Sequence, residues 1–452
     1  MEFTLDTGNT AWLITASALV LLMTPGLAFF YGGMVRGKSV LNMMMMSFGA
    51  MGLVGLIWVL YGYSGAFGAD TLGGLIGDPT QFFGVNTITD GESLMAAAGV
   101  PALVAVAFQA TFAIITVALI SGVAADRMKF SAWMVFAGIW ATLVYIPMAH
   151  MVWGGGLLGG TGITESIATP IDFAGGTVVH INAGIAGLVL ALVLGKRKGF
   201  GKEPMRPHNL PFVMLGAALL WFGWFGFNAG SEFAADGTAG RAWLNTMLAT
   251  CVAMLAWLAT EKIRDGHATS LGAASGVVAG LVAITPAAAA VDTFGALAIG
   301  AIAGVVCALA VGLKYKFGYD DSLDVVGVHL VGGLTGTVLI GLFAHVGDGV
   351  NGTWYPDGAQ NGLFYGGGAD QLITQVIVAV AAVVFSGVLT TIIAFALKAT
   401  MGVRVSEEAE VAGIDVSVHG ETAYEALPAT RGRSIDTSVP SAAGRASTEV
   451  NA

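Results

Sequence analysis

The sequence predicts an all-α integral membrane protein with eleven transmembrane helices, an inverted repeat of helices 1–5 and 6–10 plus helix 11. Three observations lead there. Of 452 residues, 56% are hydrophobic and only 11% charged, whereas a soluble domain carries roughly 25% charged residues. The apolar residues gather into runs long enough to cross a hydrocarbon core, which takes about 20 residues of helix. The basic residues fill alternate loops between those runs, the pattern left by retention of positive charge in the cytoplasm. The 66 glycines suit such a fold, because small side chains let helices approach closely.

The runs cover 9–33, 39–64, 98–124, 129–150, 172–195, 208–231, 237–260, 268–287, 291–314, 324–346 and 370–400. Thr285-Pro286 interrupts the eighth near one end, since proline donates no hydrogen bond to the helix ladder. One set of loops holds Arg36 and Lys38; Arg127 and Lys129; Lys196, Arg197, Lys198, Lys202 and Arg206; Lys262 and Arg264; and Lys314 and Lys316. The other set holds Asp70, Asp78, Asp90, Glu92, Glu165, Asp348 and Asp357, with Arg241 its sole basic residue. The positive-inside rule then puts the protein in a cell membrane with its N-terminus outside and its C-terminus in the cytoplasm, as an odd number of spans requires. The first residues, Met1 to Asp6, lack the basic stretch of a signal peptide, so the first run is expected to stay as a helix. Residues 1–400 form the membrane domain and 401–424 an ordered cytoplasmic segment. Residues 425–452, rich in Ser, Thr and Ala, read as a disordered tail.

Eleven spans divide into five, five and one, and because five is odd the second set crosses with opposite polarity to the first. That is the inverted repeat of many transport proteins. The fifth span carries Asp172-Phe-Ala-Gly-Gly-Thr-Val-Val-His180-Ile-Asn-Ala-Gly184, and the tenth carries Asp324-Val-Val-Gly-Val-His329-Leu-Val-Gly-Gly333. With Asp172 and Asp324 as caps at the helix starts, His180 lies about 12 Å from one face and His329 about 7–8 Å from the other, at 1.5 Å per residue. In a core about 30 Å thick the rings approach each other with a gap of about 10 Å.

An ionisable ring inside a span is expensive and marks function by default. Three readings of the pair are open. Two structural histidines could bond neighbouring helices. A metal site would need a third ligand, and none stands at ligand spacing. A pore lining would use the donor and acceptor of each neutral ring to pass a small polar molecule or a proton. Asp172 reads as a helix cap and, compatibly, as a charge that stabilises a cation just outside. Phe108-Gln-Ala-Thr-Phe112, Trp153 and Phe227-Asn-Ala-Gly-Ser231 end their spans at the same face. Trp153 alone reads as an interfacial anchor. Together these residues read as a cation cage, with ring faces attracting a desolvated cation and the Ser231 hydroxyl accepting a hydrogen bond from it. Cys251 and Cys307 lie in apolar spans and read as buried thiols. No phosphate-binding loop or nucleophile elbow is present, so neither an enzyme of those classes nor a cofactor is indicated. A net charge of −10 argues against a nucleic-acid partner.

These motifs resemble the ammonium transporters of the Amt/Mep/Rh family. The likeness extends from residue 10 to about 424 and includes Pro25-Gly26, Phe29-Phe30-Tyr31-Gly32-Gly33 and Tyr145-Ile-Pro-Met-Ala-His150-Met-Val-Trp153. It implies a homotrimer in membrane lipid, each subunit with its own pore for ammonium or ammonia. Phe112, Trp153 and Ser231 resemble the outer ammonium-binding site, and Phe112 with Phe227 the stacked phenyl gate beneath it. His180 and His329 resemble the twin-histidine lumen, and Asp172 the family's essential acidic residue. Trp153 and Ser231 resemble the Amt branch rather than the Rh branch. The stretch from Gly402 to Tyr424 resembles a regulatory tail, and a cytoplasmic PII-type protein is the regulator this implies. Beyond Tyr424 the sequence leaves the family's pattern. A water or polyol channel would show paired Asn-Pro-Ala motifs, which are absent. An ammonium sensor that signals through its tail stays open beside the transporter.

Overall fold

The computed structural model describes residues 3–345 and 356–424; Asp348 and the expected tail 425–452 lie outside them. Among the described residues, eleven helices are long and apolar enough to span a bilayer. They are α1 (Thr7–Met34), α2 (Val40–Phe67), α3 (Ala102–Ala124), α4 (Phe130–Trp153), α5 (Gly176–Leu194) and α6 (Leu210–Gly230). Then come α7 (Gly237–Asp265), α8 (Ser270–Ala287), α9 (Thr293–Phe317), α10 (Val326–Phe343) and α11 (Asp370–Thr400). A short helix, α12 (Glu407–Ala412), follows. Each span coincides, within a few residues at either end, with the apolar run that predicts it.

Local chemistry sets the boundaries. Asn209, Asp236 and Asp292 accept hydrogen bonds from the first amides of α6, α7 and α9, which have no partner within the helix. In α8 the regular helix stops at Ile284 and a single 3₁₀ turn holds Thr285–Ala287, where Pro286 removes an amide donor. Four spans contain a π-helical turn: Trp58–Gly62 in α2, Ala141–Tyr145 in α4, Gly176–Ile181 in α5 and Val326–Leu330 in α10. Such turns widen a helix and are often found at functional positions; here the last two carry the histidines.

The two halves meet along matching elements. α1 lies on α6 so closely that a Cβ on Gly216 would stand 2.3 Å from the Phe30 nitrogen. α5 crosses α10 at two glycines, each four residues after its histidine. A Cβ on Gly184 would lie 2.4 Å from the Leu330 nitrogen, and one on Gly333 would lie 2.9 Å from the His180 Cβ. Backbones so close need small residues at the crossing. The reciprocal contact is the inverted repeat in its most local form.

Trp153 stands at one end of the bundle and the C-terminal segment at the other. The tail end is tied together by charge. Arg197 binds Asp320 through a guanidinium fork (2.9–3.3 Å) and reaches Asp126 at 3.3 Å, and Arg36 meets the same Asp126 at 3.1 Å. Arg127, fully buried, donates to Ser322 Oγ and to the Asp320 carbonyl. The guanidiniums beside Asp320 hold its carboxyl below the usual range against the opposing effect of burial. Over this network runs the C-terminal segment. Val403 and Val405 pair with Lys129 and Arg127 in a short antiparallel bridge, and Glu410 accepts from the Lys198 amide and from Arg404. Asp415 accepts from the Leu41 and Asn42 amides at the start of α2, and Tyr424 meets His208 at 2.8 Å.

Candidate functional site

The site begins with two aspartates. Asp172 is buried before the start of α5, and its two carboxylate oxygens accept from the amides of Gly175, Gly176, Thr177 and Val178 at 2.6–3.2 Å. Gly175 has φ +118°, a backbone conformation that other residues rarely adopt, and this turn brings the amides round to one carboxylate. The cap expected of Asp172 is therefore present. The partner expected for it is not. Asp324 has φ +62° and pairs with Lys314 at 2.6 Å, whereas the α10 amides of Val325 and Val326 bind Asp321 at 3.0 and 2.8 Å. Asp172 and Asp321 each stand eight residues before a histidine, so the repeat's true counterparts are Asp172–His180 and Asp321–His329. Burial, with Asp324 nearby, pushes the Asp321 carboxyl up to about 6.

The gap of about 10 Å between the rings, reckoned from 1.5 Å per residue, is also corrected. His180 and His329 are both buried, with Nδ1 3.3 Å from Nδ1, ring centres 5.4 Å apart and planes inclined by 21°. The reckoned gap holds only for helices that start at the membrane surface. The starts of α5 and α10 are instead recessed inside the protein, each closed by a buried carboxylate, so both rings begin deeper. Two facing ring nitrogens can bond only if one carries hydrogen and the other does not, so the neutral pair is polarised along its length.

Towards the Trp153 end the His180 ring stacks on Trp224 (5.5 Å, 18°), whose indole N–H donates to Thr285 Oγ1. Next come Phe112 and Phe227, stacked at 4.1 Å with planes 19° apart and both buried. Beyond them opens a cavity of about 180 Å³ lined by Gln109, Phe112, Trp153, Asp172, Ser231 and Phe233 among others. Trp153 stands edge-on to Phe112 at 6.0 Å and is held by its indole N–H, which donates to the Asp172 carbonyl. Ser231 Oγ donates to the Phe227 carbonyl at 2.8 Å, which leaves its lone pairs free to accept. Past the phenyl stack the free space shrinks to about 10 Å³ beside the two histidines, and a second space of that size touches His329, Tyr31 and Asp324. Each is about the least that holds one water.

The seven candidate site residues are thus neighbours in series: Trp153, Ser231 and Asp172 about a cavity, Phe112 and Phe227 stacked beside it, His180 and His329 beyond. Two further residues belong to it. Gln109 is buried with Oε1 lacking a protein hydrogen-bond partner, and it lines the cavity. Trp224 forms the wall behind His180. Both precede a phenylalanine of the stacked pair by three residues, one helical turn, and that spacing was the signal available for them.

The eleven spans, the inverted repeat and a line of polar groups through an apolar bundle define a membrane transport protein of the inverted-repeat class. The Ammonium Transporter Family model matches residues 11–424. An ammonium transporter of Mycobacterium tuberculosis is 58% identical over 437 residues, covering 93% of this chain and 91% of that protein. The crystal structure of Saccharomyces cerevisiae Mep2 superposes with a TM-score of 0.81 at 35% identity, over 90% of this chain and 92% of that one. A structure described as a Sensor Amt Protein superposes with a TM-score of 0.81 at 27% identity, over 91% and 98%. The chain belongs to the Ammonium Transporter Family.

Proposed function

We propose that the chain carries ammonium across a cell membrane, as a transporter and not an enzyme, by recruiting the cation, removing its proton and passing the neutral amine. The observation that carries this reading is the order of the site: cavity, phenyl plug, histidine pair. In the cavity, the faces of Phe112 and Trp153 attract a cation through the ring quadrupole and Ser231 accepts one of its hydrogen bonds. The Asp172 charge, spent on four amides, acts at a distance. An unpaired cation pays heavily to enter the space below the phenyl stack. Ammonium escapes that cost by leaving a proton behind, while potassium has none to leave, so one step gives both passage and selectivity. The rings of Phe112 and Phe227 must swing apart, because at 4.1 Å they leave no opening. The histidine pair then offers the amine a donor and an acceptor.

In this reading the Trp153 end faces outward and the C-terminal segment lies in the cytoplasm, in keeping with the charge of the loops. Three copies form a homotrimer in lipid, and the C-terminal segment is where a PII-type regulator would act.

The test is current recorded from proteoliposomes given a pulse of ammonium. A sustained ammonium-specific current that persists with potassium present is expected if the proton crosses too. Uptake without current indicates passage of the neutral amine alone. Binding with no flux of either kind overturns transport and favours the sensor reading, which the likeness to the Sensor Amt Protein keeps in view. His180→Ala should abolish transport or its selectivity; unchanged selectivity would make the histidine merely structural.

A further inference from the structure

A second feature lies on the outside of the bundle, away from the pore. α2 and α4 part along their length to leave an open groove of about 630 Å³, lined by Leu53, Ile57, Tyr61, Gly138 and Thr142 among others. Its ends are closed. At one end the helices touch, where a Cβ on Gly49 would stand 2.6 Å from Met134 Sδ. At the other, Tyr61 and Thr142 share a hydrogen bond of 2.9 Å, and Thr142 Oγ1 donates onward to the Gly138 carbonyl. Gly138 forms the floor, and the π-helical turns of α2 and α4 stand side by side behind the closed end.

The lining is largely apolar, and on the α4 side Val135, Ile139 and Leu143 are exposed. The lining lies in the middle part of α2 and α4, which in a bilayer is the depth of the hydrocarbon core. The medium that meets this groove is lipid tails. From Gly49 to Tyr61 is a length of about 18 Å at 1.5 Å per residue, comparable to one leaflet of a core about 30 Å thick. Its volume holds on the order of twenty groups the size of a water or a methylene, at about 30 Å³ each. Neither hydroxyl at the closed end seeks a further donor, so the occupant needs no polar group there.

We infer that the groove between α2 and α4 holds a single phospholipid acyl chain as a fitted part of the protein surface. Behind the groove, Trp58 stands edge-on to Tyr145 at 6.1 Å, and its indole N–H donates to the Val106 carbonyl of α3, the helix that carries Phe108 and Phe112. The chain therefore backs the wall on which the phenyl gate is mounted.

The full protein, reconstituted in vesicles with a phospholipid bearing a diazirine midway along one acyl chain, is illuminated and its adducts mapped by mass spectrometry. Labelling of 53–61 and 134–143 should exceed that of Val380, Val384 and Val388 on the exposed face of α11 by about fivefold or more, the preference that about 1 kcal/mol confers. Gly138→Leu fills the floor, where the nearest neighbour is the flexible end of Leu53 at 3.3 Å. It should bring the groove's labelling down to the α11 level. A Val384→Leu control verifies that folding and α11 labelling survive a change on the exposed face. Equal labelling of the two faces, or undiminished labelling in a folded Gly138→Leu protein, overturns the inference. So does efficient photo-cross-linking to a second copy of a benzophenone amino acid placed at position 143, which would make the groove a protein interface.

Discussion

The crossing of α5 and α10 offers the sharpest test of how the histidine pair is held. In Gly184→Ala the new methyl would begin 2.4 Å from the Leu330 nitrogen, the residue next to His329. Ordinary contact starts at 3.4 Å, so the helices must separate by about 1 Å. The Nδ1–Nδ1 distance of 3.3 Å already lies near the outer limit for a hydrogen bond. A further shift of about 1 Å breaks it. Overpacking of this kind costs about 1–3 kcal/mol, to be read as a lower unfolding temperature in detergent. Ammonium flux should fall by about tenfold, the change in rate that 1.4 kcal/mol gives. Gly333→Ala meets the His180 Cβ at 2.9 Å and should have the same effect, but smaller. Since both act on one crossing, the double variant should lose less than the sum of the two. Gly52→Ala, with nothing within 4 Å of its added methyl, is the control and should be neutral or slightly stabilising. Normal melting and flux in Gly184→Ala would refute the claim that close backbone contact sets the ring spacing, and so would a Gly333→Ala defect larger than that of Gly184→Ala.

Asp172→Ala strands four buried amides and should destabilise the fold by about 3 kcal/mol or more, at about 1–3 kcal/mol for each group left unsatisfied; thermal unfolding measures it, and a shift below about 1 kcal/mol would show that water replaces the carboxylate. Asp320→Asn uncouples Arg197 and Arg127 and should cost about 3–5 kcal/mol at neutral pH. Because the folded state holds this carboxyl below its ordinary value, its contribution is present at neutral pH and vanishes as pH falls through the depressed value, so variant and parent should converge in acid. Glu232 runs the other way: burial first and then Asp236 raise its carboxyl to about 8, so the folded state holds the extra proton and stability falls as pH rises from about 4.5 to about 8. Glu232→Gln should match the parent near pH 4 and melt higher than it above pH 8. Identical melting curves for the two at every pH would reject a buried proton on Glu232.

The spans were legible because a helix in lipid must bury every backbone polar group within itself, and this forces long apolar runs. The histidines were legible because their cost in such runs singles them out. Depth was not legible. It was counted from the membrane surface, whereas α5 and α10 start inside the protein, on carboxylates that replace the missing turn. Matching on Asp-Val-Val-Gly-Val-His picked Asp324, which directly precedes the helix; the equal spacing of eight residues to His180 and His329 points to Asp321. Gln109 carries no charge and stood inside the Phe108–Phe112 stretch without a role of its own, and Trp224 sits in an apolar run where hydropathy alone does not distinguish it. The lattice of Arg36, Asp126, Arg197 and Asp320 joins loops as much as 123 residues apart in the case of Arg197 and Asp320, and no local pattern encodes such a meeting.

The C-terminal segment has a consequence for whatever binds it. It is tethered to the surface it covers, so its docking is an intramolecular event with a high effective concentration. It holds the α2 amides through Asp415, the α3–α4 loop through Val403 and Val405, and His208 through Tyr424. A partner that requires the segment free competes with all of these contacts at once. Its apparent affinity is scaled by the undocked fraction, and each 1.4 kcal/mol of docking weakens it tenfold. By reciprocity, a partner that recognises the docked arrangement gains from the same contacts and fastens them. The stability of this strap therefore sets the concentration range in which any partner of the segment is felt.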